Sequence, residues 1–245
     1  MSVTVSLQRA NHGGHFRAHA LRGAAKLIDP FLGVDHAWMS APTFPPHSHA
    51  GFSAVSYVFL DSETGIDNRD SRGTRNLIRP GGLHWATAGS GIVHEENPAE
   101  PGKTVHSLQI FVNLASEQHG IAPFALSLEP QEIPVVQLPG VKVRVPVGAF
   151  AGARSPLSPP TEVTMLDISL EQGAELAVPV EAGCGVFVMP VFGTALVDGR
   201  SFGHDDLKLP VFPAQTSPHV ITLQPHHGSA KVVLFAGRPL HPNAT

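Results

Sequence analysis

Four residues carry the chemistry this sequence can offer: His47 and His49 in PPHSHAGF, and His94 and Glu96 in GSGIVHEENP. Within each pair the side chains stand at i and i+2, and on a strand those positions share a face. An ion requires that of its ligands, whose donor atoms must aim at one point. Glu95 would point the other way. If the two segments lie on adjacent strands, three imidazoles and one carboxylate can converge on a single ion. One or two positions of a five- or six-coordinate metal would then stay open to water, oxygen or substrate. Such borderline ligands suit Fe(II) first, with Mn(II), Co(II), Ni(II), Cu(II) and Zn(II) also accommodated. The spacing leaves two other readings of PPHSHAGF open: a catalytic histidine beside a bystander, and a polar loop, since surface loops often produce HxH pairs.

The elements that must position these residues read as strands. The 24 glycines and 23 prolines run along the whole chain, which predicts many short strands joined by tight turns rather than helices. SAVSYVFL, LHWATA, GIVHEE and SLQIFVNLA are strand-like runs, separated by turn signals such as DSETG and RPGG. A second series follows from TEVTMLDISL through GVFVMPVFGTALVDG to KVVLFAG, without an HxH pair. A length of 245 residues accommodates two units of roughly 100 to 130 each. We place them at 1–125 and 126–245, with the join over 114–160, where SPLSPP has the composition of a linker or of a loop packed against a sheet. Only the first unit would carry metal ligands.

Composition narrows the function classes. With 42% hydrophobic and 15% charged residues, the chain can fill a core and is not disordered over most of its length. The net charge of −4, with no basic stripe, argues against direct binding to nucleic acid. Its single cysteine, Cys184, excludes a disulfide framework and fits a reducing compartment. MSVTVSLQRANHGG has no apolar signal core, and runs such as VVLFA are too short to span a bilayer. A cytoplasmic monomer is expected. No Walker loop, dinucleotide fingerprint or G-x-S-x-G elbow is present.

Three runs together, FPPHSHAGFSAVSYVF, RDSRGTRNLIRPGGLHWATAGSGIVHEE and HSLQIFVNL, resemble the N-terminal domain of the pirin family, and DPFLGVDH at 29–36 resembles its early DPF segment. The likeness is strong over 29–115 and becomes one of pattern over 160–240, where LFAGRPL echoes a late family segment. It implies an all-β bicupin: two jelly-roll-type β-barrels packed face to face, with little helix and a metal in the first barrel only. Carried over position by position, the family's ligands are His47, His49, His94 and Glu96. The sequence departs from HPHRGFE at Ala50 and Ser53, which leaves the ligand set intact and takes a glutamate from its surroundings. PGGLHW adds His84 to the usual PGDVQW. The chain stops soon after GRPL, where many pirins run on over the pocket, so a more open pocket is expected.

The resemblance implies two functions of different class. One is quercetin 2,3-dioxygenase activity on a flavonol or similar small aromatic, with dioxygen as co-substrate and Glu96 as acid/base as well as ligand. Phe44, Phe52, Tyr57, Trp85 and Phe111 could line its pocket, though barrel core is the ordinary role for such residues. The other is a non-catalytic, metal-dependent redox-sensing protein acting through a protein partner, which the serine at 53 favours. Among the remaining histidines, His106 is expected to line the cavity and His84 to pack or hydrogen-bond. His204, His226 and His227 are expected at the surface. Cys184 reads as a small turn or buried residue rather than a nucleophile.

Overall fold

The structure, a computed structural model, describes residues 2–241. It is almost wholly antiparallel β-sheet, with one short α-helix, Ala25–Ile28, and one 3-10 turn, Ser116–Gln118. The all-β bicupin architecture expected from the sequence is present, built in each half from two opposed sheets rather than one closed barrel.

In the first half a seven-stranded sheet runs in the order Phe124–Leu128, Leu83–Thr87, Phe52–Val58, Val105–Asn113, Phe31–Met39, Phe16–Leu21, Gln8–His12. Opposite lies a four-stranded sheet in the order His47–His49, Ile92–Pro98, Ile66–Asp70, Arg75–Ile78. The second half repeats the plan. Its large sheet includes Gly185–Phe192, Ala230–Gly237, Val163–Leu170 and Val141–Val147, and its small sheet runs Leu176–Val180, His219–Pro225, Thr194–Val197, Arg200–Gly203.

The two large sheets share one apolar layer, which brings Phe31, Tyr57, Phe59 and Trp85 of the first half against Met165, Phe187, Met189 and Phe235 of the second. Phe31 meets Phe187 and Phe235 edge-on, at centroid distances of 5.3 and 5.5 Å. A buried polar cluster crosses the same layer. Tyr57 donates to Asp167 Oδ2 at 2.7 Å, Arg144 Nη1 donates to Tyr57 Oη at 3.2 Å, and Lys231 Nζ lies 2.7 Å from Asp167 Oδ1. Both faces of the first large sheet are therefore covered, one by the partner half and one by its own small sheet. That is why Phe31–Met39 shows no clean alternation of buried and exposed positions.

Two segments depart from a simple cut of the chain. The opening strand, Val3–Ser6, does not join the first half; it pairs with Lys208–Phe212 at the edge of the second half's large sheet. SPLSPP is a packed loop: Ser155 Oγ donates to Pro146 O at 2.7 Å, Leu157 is buried in the shared layer, and just beyond it Thr161 Oγ1 donates to Asn113 O at 2.7 Å. The division at residue 125 stays a proposal, with the N-terminal strand reaching across it.

Candidate metal centre

Strand pairing brings the two sequence motifs together. His47–His49 is antiparallel to Ile92–Pro98, with His47 opposite His94 and His49 opposite Ile92. Two turns set this register. Gly51, at φ +78°, turns the chain from the HSH strand into Phe52–Val58, and its N–H donates to Gly89 O at 2.8 Å. At Gly89 a Cβ would sit 2.2 Å from Ile121 O, so only glycine fits between the second motif and that backbone.

His47, His49 and His94 each present a ring nitrogen, and these nitrogens lie within 4.8 Å of one another. The Nε2 atoms of His49 and His94 are 2.9 Å apart. His47 Nδ1 lies 3.0 Å from Pro45 O, a contact in which Nδ1 donates, so Nε2 is the ring nitrogen left for an ion. Burial, reinforced by the charge of His47, lowers His49 to about 4. Burial, then His49 and His47, lowers His94 to about 3. Both rings are thus neutral at physiological pH, the form that can coordinate. Buried His94 Nδ1 has no hydrogen-bond partner.

Glu96 borders the same cavity without joining the group of converging nitrogens. Ser56 Oγ donates to its carboxylate, 2.8 and 2.7 Å from the two oxygens, and lies 3.0 Å from Gln109 Oε1. Glu96 is half-buried at the edge of the cavity. Burial therefore raises it to about 7, against the lowering effect of the Ser56 hydrogen bond. Three imidazoles beside a carboxylate form a donor set that fits a divalent first-row ion.

The cavity is about 200 Å³. Phe16, Met39, Phe44, Ile66 and Phe111 form its apolar wall, while Asp35, Ser107 and Gln109 add polar groups. Of the aromatic residues expected at a pocket, Phe44 and Phe111 line it. Phe52 packs beside His49 and Phe111, at 5.2 and 5.7 Å, whereas Tyr57 and Trp85 belong to the layer between the halves. The expectation for His106 is corrected. It lies on the opposite face of its strand from Ser107 and Gln109, with Nε2 2.7 Å from His36 Nε2 and Nδ1 3.0 Å from Asp61. His84 is buried away from the cavity, with Nδ1 2.8 Å from Ser127 Oγ and Nε2 3.3 Å from Asn68 Nδ2. Ser53 shares the face of Val55 and Tyr57 and contacts Thr87, while Ser56 on the other face reaches Glu96. A glutamate at 53 would start out facing away from the cavity. Ser56, Gln109 and Asp35 carried no signal in the sequence, since single polar residues inside strands have no distinctive spacing.

Comparison with known proteins gives the family and the fold. The sequence model of the Pirin family matches residues 14–112. A pirin-like protein of Solanum lycopersicum is 32% identical over 98% of this chain and 81% of its own length. The chain belongs to the pirin family. Pirin-like protein 2 of Arabidopsis thaliana is 37% identical over 71% of this chain, a stretch that spans 53% of that relative. Among solved structures, a quercetin 2,3-dioxygenase from Acinetobacter baumannii superposes with a TM-score of 0.83 at 22% identity, covering 97% of this chain and 86% of that one. The bacterial pirin YhhW from Escherichia coli, in complex with nickel(II), superposes at 0.75 with 18% identity, covering 98% and 100%. At these identities the two structures establish a shared pirin-type fold. Among the described residues, no helix is long and apolar enough to cross a membrane.

Proposed function

We propose that this pirin is a metal-dependent oxygenase of the quercetinase type, acting with dioxygen on a flavonol or similar small aromatic at an ion held by His47, His49, His94 and Glu96. The observation that carries this reading is the convergence of three imidazoles on a cavity whose remaining wall is largely apolar and aromatic. The quercetin dioxygenase and the nickel-bound YhhW of like fold support it. Fe(II) heads the candidate ions, with nickel(II) next on the strength of YhhW. A bound divalent ion would act as a Lewis acid toward a substrate hydroxyl. Phe44 and Phe111 offer apolar faces to a flat ring. Glu96 can hold a proton near neutrality, and a bound cation would draw it toward the ionised form that serves as ligand. In this reading the protein works as a monomer in the reducing cytoplasm, away from nucleic acid.

One observation favours a second reading, a metal-dependent regulator acting on a protein partner. Adjacent residues of one strand grip the site and the other half: Ser56 holds Glu96, and Tyr57 holds Asp167. The test is elemental analysis of metal-supplemented protein together with oxygen uptake on quercetin, wild type beside Glu96→Ala. One equivalent of metal with uptake lost in the variant supports the oxygenase. One equivalent with no uptake by wild type removes it in favour of the regulator.

A further inference from the structure

We propose that Asp35 is the substrate-recognition acceptor of this cavity, and that the cavity encloses a single uncharged ring bearing hydroxyl groups, any larger part of the substrate remaining outside. The proposal rests on the metal-site reading for the position of the ring, but not for the role of Asp35.

Three observations converge. The first is an unpartnered atom. Asp35 lines the cavity from the Phe31–Met39 strand, directly opposite Gln109 on the neighbouring strand. Arg22 Nη2 donates to its Oδ2 at 2.5 Å, while Oδ1 is buried with no hydrogen-bond partner. A buried carboxylate oxygen without a donor is uncommon and costly, so a donor supplied by a ligand would be well rewarded there. Burial moves Asp35 upward despite Arg22, so the single ion pair does not fully compensate its charge.

The second is the sign of the lining. Asp35 and Glu96 border the cavity and no Lys or Arg does, among the described residues. The nearby guanidinium of Arg22 is occupied by Leu21 O and Asp35 and lies 5.5 Å from the ring centroid of Phe111. An organic acid would have only the ion to neutralise it and would face two carboxyl groups. A neutral hydroxyl offers Asp35 the donor it lacks. The third is size. About 200 Å³ is below the roughly 300 Å³ at which sites for drug-sized ligands begin, and it suits one ring rather than several.

The experiment is anaerobic calorimetric titration of nickel(II)-loaded and metal-free protein with pyrogallol and with benzoate, in wild type and Asp35→Asn, with elemental analysis of each sample. Pyrogallol is a single ring with three hydroxyls, so one remains to donate when two meet the ion. Nickel-loaded wild type should bind pyrogallol at least tenfold more tightly than benzoate. Asp35→Asn should weaken pyrogallol about tenfold, the scale of one hydrogen bond to a charged group, while benzoate holds or improves and metal stays at one equivalent. Equal pyrogallol affinity in wild type and Asp35→Asn would overturn the assignment, with or without metal. Tighter benzoate than pyrogallol in wild type would overturn it as well, independently of how the variant folds. Absence of metal uptake by wild type would count against the metal site alone, because the metal-free titrations still read Asp35.

Discussion

The two halves share a plan and differ in what fills it. In each, a four-stranded sheet faces a seven-stranded one, and its first two strands are antiparallel neighbours. In the second half these are Leu176–Val180 and His219–Pro225, with Val178 opposite Ile221 and Leu176 opposite Leu223, all four buried in one apolar core. In the first half the corresponding strands put His47 opposite His94, and Glu96 follows two residues on. The first half's own apolar cluster is reduced to Met39, Val58, Ile66, Ile78 and Val105, with Phe16 against it. One set of positions is filled by hydrocarbon and the other by candidate ligands around a cavity. A hollow, polar interior contributes little burial free energy, so the first half draws its stability from the layer it shares with the second. The filled half thus supports the hollow one.

Histidine removal is the largest expected effect. His94→Ala or His47→Ala should take bound metal from one equivalent to none, read by elemental analysis, while the far-ultraviolet circular dichroism stays that of the wild type. Full metal occupancy in either variant would mean the ligands lie elsewhere.

Packing provides the next contrast. Leu223→Ala opens a void in the close-packed second half and should cost about 3 kcal/mol in denaturant unfolding. Met39→Ala only enlarges a cavity that already exists and should cost about 2 kcal/mol, the low end for such truncations. Equal costs would show that the first half is no looser than the second.

The smallest effect is a pH dependence confined to the polar half. Burial holds His49 and His84 at about 4 and His94 at about 3, against an ordinary 6.5. As pH falls below 6.5 the unfolded chain takes up protons that the folded rings refuse, so stability is complete above about 6.5 and declines toward pH 4. Glu96, raised from 4.5 to about 7, runs the other way, its contribution present at low pH and lost as pH rises through 7. Three histidines outweigh one glutamate, and thermal melts of metal-free protein should fall in midpoint from pH 6.5 to 4.5. The double variant His49→Asn, His94→Asn should flatten that slope. A flat profile in the wild type would mean that these rings are not held neutral.

Much of this was legible in the chain itself. The all-β class follows from turn signals spaced along it, and the ligand candidates follow from two i, i+2 pairs of ligand-type residues beside glycine or proline turns. Family motifs over 29–115 extended both. Faces were harder to read. Period-2 alternation says which residues share a face but not where that face looks, and with both faces of a sheet buried no polarity pattern reveals it. That is why Tyr57, Trp85 and His106 turned out to face away from the cavity, and why Ser53, opposite to Ser56 in facing, takes no part in it.

The sequence by itself determined the residue types, the spacing that aligns His47 with His49 and His94 with Glu96, and the strands that carry them, because these depend on local backbone geometry. Only the tertiary structure decided that the pairs meet, that Ser56 holds Glu96 and Asp35 lines the cavity, and that the opening strand completes the other half. Those outcomes depend on register between strands distant in sequence and on which sheet covers which, and both are set by burial summed over the whole molecule.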